Sequence, residues 1–265
     1  MSLRAIYSAS TGMEAHQFAL DNVANNIANA STNAFKRSRA NFEDTFYENV
    51  RVPGAQTSNG TTPAGTHVGL GTRIQSTSID FQQGSLLPTK NPLDVAISGA
   101  GFFQVTDGPG VAYTRAGNFT LNSEGSLMMT SATTGHLISP QITIPPNAQE
   151  IGIGADGRVT YKDTQNNTVE VGQIQLYQFT NVNGLLQKGE NLYGATSASG
   201  PAQGGEPGGP TGLGKLTQGM LEVSNVEPVH ELVDLIKTQR NFELNSQIIQ
   251  AADQMLQLIS NLRRF

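Results

Sequence analysis

Residues 242–262 read FELNSQIIQAADQMLQLISNL, and a seven-residue repeat fits this stretch. Residues seven apart on a helix lie almost in line, so the repeat divides the stretch into seven columns. Three columns hold only polar residues, and the other four are adjacent and apolar apart from Asn245. The four columns are Phe242, Ile249 and Leu256; Leu244, Ala251 and Leu258; Ile248, Met255 and Leu262; and Asn245, Ala252 and Ile259. The pattern predicts a long amphipathic helix whose apolar arc is wider than one coiled-coil seam.

The sequence before this stretch indicates where the helix starts. Ser224 and Asn225 are N-cap candidates, and Pro228 is tolerated in a first turn. A helix over residues 228–263 would be roughly 54 Å long at ~1.5 Å per residue. A compact globule of this chain length has a radius of gyration of about 18 Å. The helix therefore outruns a monomer core, and large apolar side chains left exposed favour association.

The N-terminal residues 1–30 carry a weaker helical pattern. Apolar and histidine residues alternate by three and four, as in a coiled-coil seam. Gly12 and several Asn residues lower the helix propensity, so this helix needs a packing partner. Two terminal helices must pair with each other or with other copies of the chain. A two-helix hairpin within one monomer is the alternative to association between copies. The seam residues are Ile6, Ala9, Met13, His16, Leu20, Val23 and Ile27.

Between the helices, short strand-like runs alternate with turn residues. They favour a β-domain of sandwich or barrel type. The predicted fold class is α+β multidomain, with the N- and C-terminal helices paired as a coiled coil and a central all-β domain. The expected runs are 93–97, 102–105, 119–121, 141–144, 158–161 and 169–179. The expected domains are a helical domain (1–30 and 225–265), an extended connecting segment (31–75 and 215–224), and the β-domain (76–214), with a flexible Gly- and Pro-rich loop at 195–214.

Composition excludes several classes of function. The net charge of −5, without a basic patch interleaved with aromatics, argues against nucleic acid as a partner. Lys36, Arg37 and Arg39 form a small basic cluster, expected in a solvated loop or a local salt bridge. The absence of cysteine excludes disulfides and thiolate chemistry. The sequence has no run of about 18 apolar residues, which a membrane span would need, and no N-terminal apolar core, which a cleavable secretory signal would need.

Motifs for catalysis are not supported. Residues 152–159, GIGADGRV, fit a dinucleotide fingerprint and a kinase glycine loop, but a nucleotide site needs a following helix or further kinase elements. Asp156-Gly157 lies between Ile153 and Val159, a pattern typical of a β-hairpin turn. The four histidines (16, 67, 136 and 230) have no metal-ligand spacing. We therefore expect no catalytic, metal or cofactor site, no small-molecule substrate and no enzyme activity.

Several segments together resemble the flagellar rod and hook axial proteins of bacteria. ANNIAN at 24–29 and STNAFK at 31–36 resemble the N-terminal signature, and QG at 218–219 with LEVSNV at 221–226 resembles the lead into the C-terminal helix. QGSL at 83–86, LDVAI at 93–97, GAGFF at 99–103 and YTRAG at 113–117 resemble the β-domain. The residues that carry the terminal motifs are Asn25, Asn26, Asn29, Phe35, Lys36, Ser224, Asn225, Gln239 and Arg240.

Within that family, residues 46–57, FYENVRVPGAQT, resemble an insertion that distinguishes distal-rod members from hook proteins and is tied to rod rigidity. The segment of about 46–65 is therefore taken as rod-specific, with Tyr47, Arg51, Pro53, Gly54 and Gln56 as its candidate residues. One departure is Ala34, where family members usually carry Gly. If the turn needs a positive φ, Ala would strain it, or the turn would differ locally.

The resemblance implies a structural subunit that stacks helically with copies of itself into a hollow drive shaft between motor and hook. The implied partners are proximal rod proteins, the hook protein, the L- and P-ring bushing and the flagellar type III export apparatus. The terminal helices would form an inner intersubunit layer, and the rod would cross the periplasm to the outer membrane. The proximal rod or hook protein, and more remotely a carbohydrate-binding or hydrolytic module, are the alternatives.

The polar face of the C-terminal helix suggests a channel lining. From Phe242 to Asn261 only Glu243 and Asp253 are charged, whereas a solvated helix face usually carries more charge. Gln250, Gln254 and Gln257 are the candidate lining residues. A neutral polar surface would let unfolded chains slide past without ionic or hydrophobic trapping, and an ordinary subunit contact is the alternative.

Overall fold

The computed structural model describes residues 2–54, 56–57, 60–61, 63–108, 110–131, 135–210 and 212–262. Its internal contacts divide the chain into two compact units. Unit 1 comprises Met1–Ala28, Ser38–Asp80 and Glu227–Phe265, and unit 2 comprises Asn29–Arg37 and Phe81–Val226. The predicted α+β class is confirmed, because a helix stands at each end and strands fill the middle.

Unit 1 contains both helices and six strands. Three antiparallel strand pairs form, β1 with β6, β2 with β5 and β3 with β4, and α1 contacts both α2 and the β1–β6 pair. Residues 38–44 and 72–75, expected in a connecting segment, and 76–79, expected at the start of the β-domain, are thus the two strands that pack on α1. The elements are α1 (Ser2–Ala28), β1 (Ser38–Asp44), β2 (Tyr47–Arg51), β3 (Gln56–Thr57), β4 (Gly60–Thr61), β5 (Thr66–Gly69), β6 (Thr72–Ile79) and α2 (Pro228–Leu262).

The helices form an antiparallel hairpin within the chain. Asn26 Nδ2 donates to Glu231 Oε2 at 3.1 Å, and a Cβ on Gly12 would lie 2.9 Å from Asn245 Nδ2. Both pairings fit one antiparallel register, so α2 continues past the point that faces the start of α1. The sequence allowed either a helix hairpin within one chain or association between copies. The structure contains the hairpin.

Unit 2 is built from sixteen strands among its described residues. Nine form one antiparallel sheet in the order β11-β12-β13-β9-β10-β19-β18, with β17 pairing β9 and β20; β14-β15-β16 form a second sheet, and β8–β21 and β7–β22 are pairs. The strands are β7 (Leu86–Pro88), β8 (Val95–Ser98), β9 (Phe102–Asp107), β10 (Gly110–Thr114), β11 (Phe119–Leu121), β12 (Leu127–Met129), β13 (His136–Ser139), β14 (Glu150–Ile153), β15 (Arg158–Lys162), β16 (Thr168–Gln173), β17 (Leu176–Gln178), β18 (Leu186–Gly189), β19 (Leu192–Gly194), β20 (Gln203–Gly205), β21 (Lys215–Gln218) and β22 (Met220–Glu222), with a 3₁₀ turn at Val182–Gly184.

The predicted strands match unevenly. Residues 119–121 are β11, and β14 and β15 form the hairpin expected around Asp156-Gly157, with Gly157 at φ +85°. Residues 169–179 are two strands, β16 and β17. Residues 141–144 are not a strand, because only Thr143 makes an isolated bridge, to Ser126. Ile142 and Ile144 are buried in the core, and on either side of the bridge their backbones bond to Leu127 and Gly125, so the pairing is limited to this short stretch.

The segment 195–214, expected as a flexible loop, is instead packed into unit 2. It contains β20, and Ser199 and Leu213 are buried. Its glycines permit close approach: a Cβ on Gly204 would lie 2.8 Å from the Tyr177 ring, and one on Gly214 would lie 2.6 Å from the Ser98 carbonyl. Small residues here indicate tight packing as much as freedom of the backbone.

Candidate functional site: assembly surface and buried ion pairs

The helix hairpin buries only one side of α2. The seam follows the spacing 4-3-4-3 expected of a coiled coil, and each of its members is buried or half-buried. Two seam positions, Glu231 and Ala252, are 1% exposed. The seam consists of Glu231, Leu235, Thr238, Phe242, Asn245, Ile249, Ala252 and Leu256.

A second apolar surface of α2 remains uncovered in unit 1. We call it the outer stripe: Leu232, Ile236, Leu244, Ile248, Met255 and Leu258. At about 3.6 residues per turn its members spread over roughly 160° of the helix circumference, on the side away from the seam. Each of its side chains is 47–64% exposed. Of the nineteen exposed large hydrophobic side chains among the described residues, nine are on α2, so this surface is the main apolar face still available to a partner.

The predicted apolar arc is therefore divided between two uses. Phe242, Ile249 and Leu256 lie on the seam, whereas Leu244, Ile248, Met255 and Ile259 are exposed. The side chain of Leu262 lies outside the described residues.

On α1 the most buried residues share only Ala9 with the predicted seam. The buried residues are small, Ala9, Gly12 and Ala15, together with Asn26. Small side chains allow two helices to approach closely, which large apolar residues prevent. The spacing of Ala9, Gly12 and Ala15 was a signal available in the sequence. The other predicted seam residues are half-buried: Ile6, Met13, His16, Leu20, Val23 and Ile27.

The candidate channel residues Gln250, Gln254 and Gln257 share one exposed side of α2. At about 3.6 residues per turn, Gln250 and Gln254 lie roughly five turns beyond Leu232 and Ile236 on this same side. Gln257 Nε2 donates to Asp253 Oδ2 at 3.0 Å. Nearby, Gln239 and Arg240 are exposed, and Arg240 lies 3.7 Å from Glu243. In its C-terminal half the helix thus presents a seam, an apolar stripe and a polar face.

The rod-specific residues lie on an exposed part of unit 1. Strands β2 and β5 form a two-stranded ribbon, and every residue of β2 is exposed. Phe46 is 85% exposed, and Val50 and Val52 are also exposed. Tyr47, Arg51, Pro53, Gly54 and Gln56 are all exposed as well. A two-stranded ribbon without a covered face is marginally stable by itself, so this ribbon is a second candidate contact surface.

In unit 2 a group of buried charges joins three distant parts of the chain. Glu222 accepts hydrogen bonds from Lys36 Nζ at 2.5 Å and Arg115 Nε at 2.9 Å. Lys36 and Glu222 are 1% exposed and Arg115 is 4% exposed. Lys36 also donates to the Gln82 carbonyl at 2.7 Å, and Arg115 donates to the carbonyls of Gly99 and Gly101. Two cations therefore share one carboxylate, with peptide carbonyls compensating the excess charge.

Sequence reasoning placed Lys36 in a basic cluster and did not find its partners. A lone Lys or Arg is normally solvated, and only the fold brings residues 36, 115 and 222 together. The nearby phenol of Tyr193 is also buried, and burial raises its pKa to about 12.

The other family-motif residues of unit 2 tie its segments together. Asn225 Oδ1 accepts from the backbone N–H of Arg37 at 2.8 Å, and Asn225 Nδ2 donates to the Gln82 carbonyl at 3.2 Å. Ser224 Oγ accepts from the N–H of Val226. Ser224 and Asn225 therefore do not cap α2, because the helix begins later, at Pro228, and their side chains are engaged elsewhere. The N–H of Asn225 donates to the Phe35 carbonyl, and Thr32 Oγ1 donates to Asn29 Oδ1.

In unit 1, Asn26 fills a similar tying role. It exchanges two hydrogen bonds with the backbone of Ser38, at 2.9 and 3.0 Å, besides its bond to Glu231. Asn25, next to it, is exposed.

The turn at Ala34 keeps the left-handed conformation, with φ +58° and 1% exposure. The Ala N–H donates to the Glu222 carbonyl at 2.8 Å. The first of the two outcomes considered for this position therefore holds: the positive φ is retained with a strained Ala.

Within the described ranges, no group of three or more His, Asp or Glu side chains is arranged to hold a metal ion. No described helix is long and apolar enough to cross a membrane.

Comparisons with known proteins match three separate stretches of the chain. Residues 6–36 match the flagella basal body rod protein family, residues 96–161 the D1 domain of the flagellar hook protein FlgE/F/G, and residues 217–262 the C-terminal region of the flagellar basal body rod FlgEFG protein. Lys36, Arg115 and Glu222 come from these three stretches, one from each, and meet in the buried charge group.

Whole-length relatives agree with these matches. The flagellar basal-body rod protein FlgG of Buchnera aphidicola subsp. Schizaphis graminum is 45% identical over 261 residues, covering 97% of this chain and 99% of the relative. That of Caulobacter vibrioides is 43% identical, covering 98% of this chain and 100% of the relative, and that of Bacillus subtilis is 38% identical, covering 99% and 100%. The chain therefore belongs to the FlgG family of flagellar basal-body rod proteins and is a structural component of the distal rod.

Proposed function

We propose that this chain polymerises helically with copies of itself through the outer stripe of α2, and that the polymer is the hollow shaft carrying torque from motor to hook. The observation that supports the proposal is that the outer stripe of α2 is uncovered although the seam of α2 is already packed against α1. Burying a large apolar side chain fully contributes about 1.5–3 kcal/mol. Six half-exposed side chains would then contribute roughly 5–9 kcal/mol per copy, a magnitude that matters in association.

The rod-specific ribbon supports a second contact between copies. Its exposed apolar residues, Phe46, Val50 and Val52, have no cover in unit 1. Arg4 and Glu48 form a salt bridge at 2.7 Å that ties this ribbon to α1. A neighbouring copy that covers the ribbon would link helices and ribbon into one load-bearing surface, in keeping with the rigidity that the resemblance implies.

We propose the wider context from the family. The partners are the proximal rod proteins, the hook protein and the L- and P-ring bushing, and the rod crosses the periplasm towards the outer membrane. The chain reaches its place through the flagellar type III export apparatus. It acts by assembly and carries no catalytic role.

The polar face of α2 is proposed to line the central channel. With the outer stripe and the seam both packed, Gln250, Gln254 and Gln257 are left for the lumen. Replacing all three with Lys is expected to slow export of later subunits through rods that still form. Unchanged export through intact rods would rule out the lining role and favour an ordinary subunit contact.

The polymerisation proposal is tested with a triple variant, Leu244→Gln, Ile248→Gln and Leu258→Gln, in the full chain. Rod formation, followed by light scattering and electron microscopy, is expected to be lost while the circular dichroism of the monomer is kept. The matched control replaces three similarly exposed residues of unit 2, Leu87, Val111 and Leu186, with Gln, and it should polymerise normally. Polymerisation by the α2 variant at the wild-type rate would refute the proposal.

A further inference from the structure

His136 lies at the start of β13, with its side chain 5% exposed and both ring nitrogens in contact with oxygen atoms. Nδ1 is 3.0 Å from the carbonyl oxygen of Thr106, and Nε2 is 3.3 Å from Oε2 of Glu190. A carbonyl oxygen can only accept, so Nδ1 must carry a hydrogen.

This assignment leaves the second contact one proton short. A neutral imidazole carries a single N–H, so with Nδ1 protonated the Nε2 atom is a bare acceptor. An ionised carboxylate is also only an acceptor. Nε2 and Glu190 Oε2 can therefore form a hydrogen bond only if a second proton lies between them, on the imidazole or on the carboxyl group.

The contact holds a demanding turn. Glu190 and Asn191 are the two-residue loop between β18 and β19, and both have positive φ, +52° and +58°. Such a turn usually needs Gly or Asn at both central positions, so Glu190 is there at a conformational cost. Side chains secure it: Asn191 Nδ2 donates to the Asn33 carbonyl at 3.0 Å, and Thr114 Oγ1 donates to the Asn191 carbonyl at 2.9 Å.

The other charges facing His136 do not remove the need for the proton. Asp107, beside Thr106 at the end of β9, is paired with Lys188 of β18 at 2.7 Å. The pKa of Asp107 is lowered, first by the hydrogen bond from Lys188 and further by the charges of Lys188 and His136. Glu190 is half-exposed and lines a cavity of about 300 Å³ with Asn33 and Asn191, so protons can reach the pair from solvent.

We infer that His136 and Glu190 share one bound proton and that this proton fastens the β18–β19 turn to β13 and β9 in unit 2. The contact is strongest in mildly acidic solution and turns into an acceptor-to-acceptor clash once the proton leaves.

Glu190→Gln gives a sharp test, because the Gln amide can donate to a bare Nε2 without any added proton. In ¹⁵N-histidine-labelled full chain, wild-type His136 is expected to show protons on both ring nitrogens in acid and to titrate as a coupled pair. In Glu190→Gln it should keep the neutral Nδ1–H form to lower pH. The His136 signal is assigned as the one absent from His136→Gln, or, if that variant does not fold, as the one that remains in each of His16→Gln, His67→Gln and His230→Gln. A wild-type His136 that is neutral with its proton on Nε2, or identical titration in both proteins, would overturn the inference.

Stability supplies a second readout. The difference in urea midpoint between Glu190→Gln and wild type, followed by near-UV circular dichroism, should change sign between pH 5.5 and 8.5. Wild type should be the more stable in acid and Glu190→Gln in alkali. Glu124→Gln, at an exposed carboxylate of unit 2, is the matched control and should give a constant difference. Parallel curves for Glu190→Gln and wild type would also count against the shared proton.

Discussion

Replacing Glu222 with Gln removes the buried carboxylate that Lys36 and Arg115 share. Lys36 and Arg115 are 1% and 4% exposed, so neither can reach water to recover its hydration. Breaking a buried pair by removing one partner typically costs 3–5 kcal/mol, because the remaining charge is left uncompensated. With two cations left behind, the free energy of unfolding of unit 2 should fall by at least about 4 kcal/mol.

Lys36→Met should be much milder. It leaves Arg115 and Glu222 as a neutral pair and removes the excess positive charge, so the loss is limited to the Lys hydrogen bonds, about 1.5–3 kcal/mol. The double variant should then cost less than the sum of the two single changes, since the Lys36–Glu222 coupling is counted once. Arg115 still lacks a carboxylate in the double variant, which should therefore stay clearly less stable than Lys36→Met.

The assay is urea unfolding of the full chain followed by near-UV circular dichroism. Unit 2 carries a cluster of edge-to-face rings, including Tyr113, Tyr177 and Tyr193, that reports on its packing. Glu170→Gln is the control, because that carboxylate pairs with Arg158 at the surface, at 3.7 Å, and should change stability by under about 0.5 kcal/mol. Equal losses for Glu222→Gln and Lys36→Met, or strict additivity in the double variant, would refute the charge argument.

Three further predictions concern single positions. Burial lowers the pKa of His16, so the unfolded chain binds more protons than the folded chain near pH 6. The stability of unit 1 should therefore fall as the pH drops below about 6.5. In urea titrations at several pH values, His16→Gln should remove that dependence. Ala34→Gly relieves the strain of a left-handed backbone, about 1–2 kcal/mol, but loses a buried methyl group worth about 0.8 kcal/mol. The melting temperature of this variant should therefore stay within a few degrees of that of wild type. Ala34→Val, by contrast, should lower the free energy of unfolding by about 2–4 kcal/mol. A Cβ on Gly117 would overlap the Val95 carbonyl oxygen, so Gly117→Ala should destabilise unit 2 by more than about 2 kcal/mol in urea unfolding. Gly110→Ala is the control and should change the stability little, because its Cβ would lie 3.6 Å from the Asp107 carbonyl oxygen. Similar effects of the two substitutions would contradict the close packing at Gly117.

The local sequence pattern was enough to predict those elements that are determined by interactions between residues close together in the chain. The seven-residue repeat predicted α2 and its wide apolar arc, and Asp156-Gly157 between alternating apolar residues predicted the β14–β15 hairpin. The pattern of apolar residues mispredicted segments whose buried residues do not belong to a regular strand or whose small residues are packed. Ile142 and Ile144 alternate like a strand and fill the core, yet their segment pairs only through a single bridge, and the glycines of 195–214 permit close packing rather than mobility.

By itself, the sequence determined that this protein has amphipathic helices at both ends of a β-rich chain, and that α2 carries more apolar surface than one partner helix can cover. Periodicity records which side chains share a face, because helix geometry is set within a few residues. Only the tertiary structure decided which part of that surface is filled by α1 and which part, the outer stripe, stays uncovered. It alone brought together Lys36, Arg115 and Glu222, and set His136 against Glu190, because contacts between residues far apart in the chain depend on how strands pair and leave no periodic trace in the sequence.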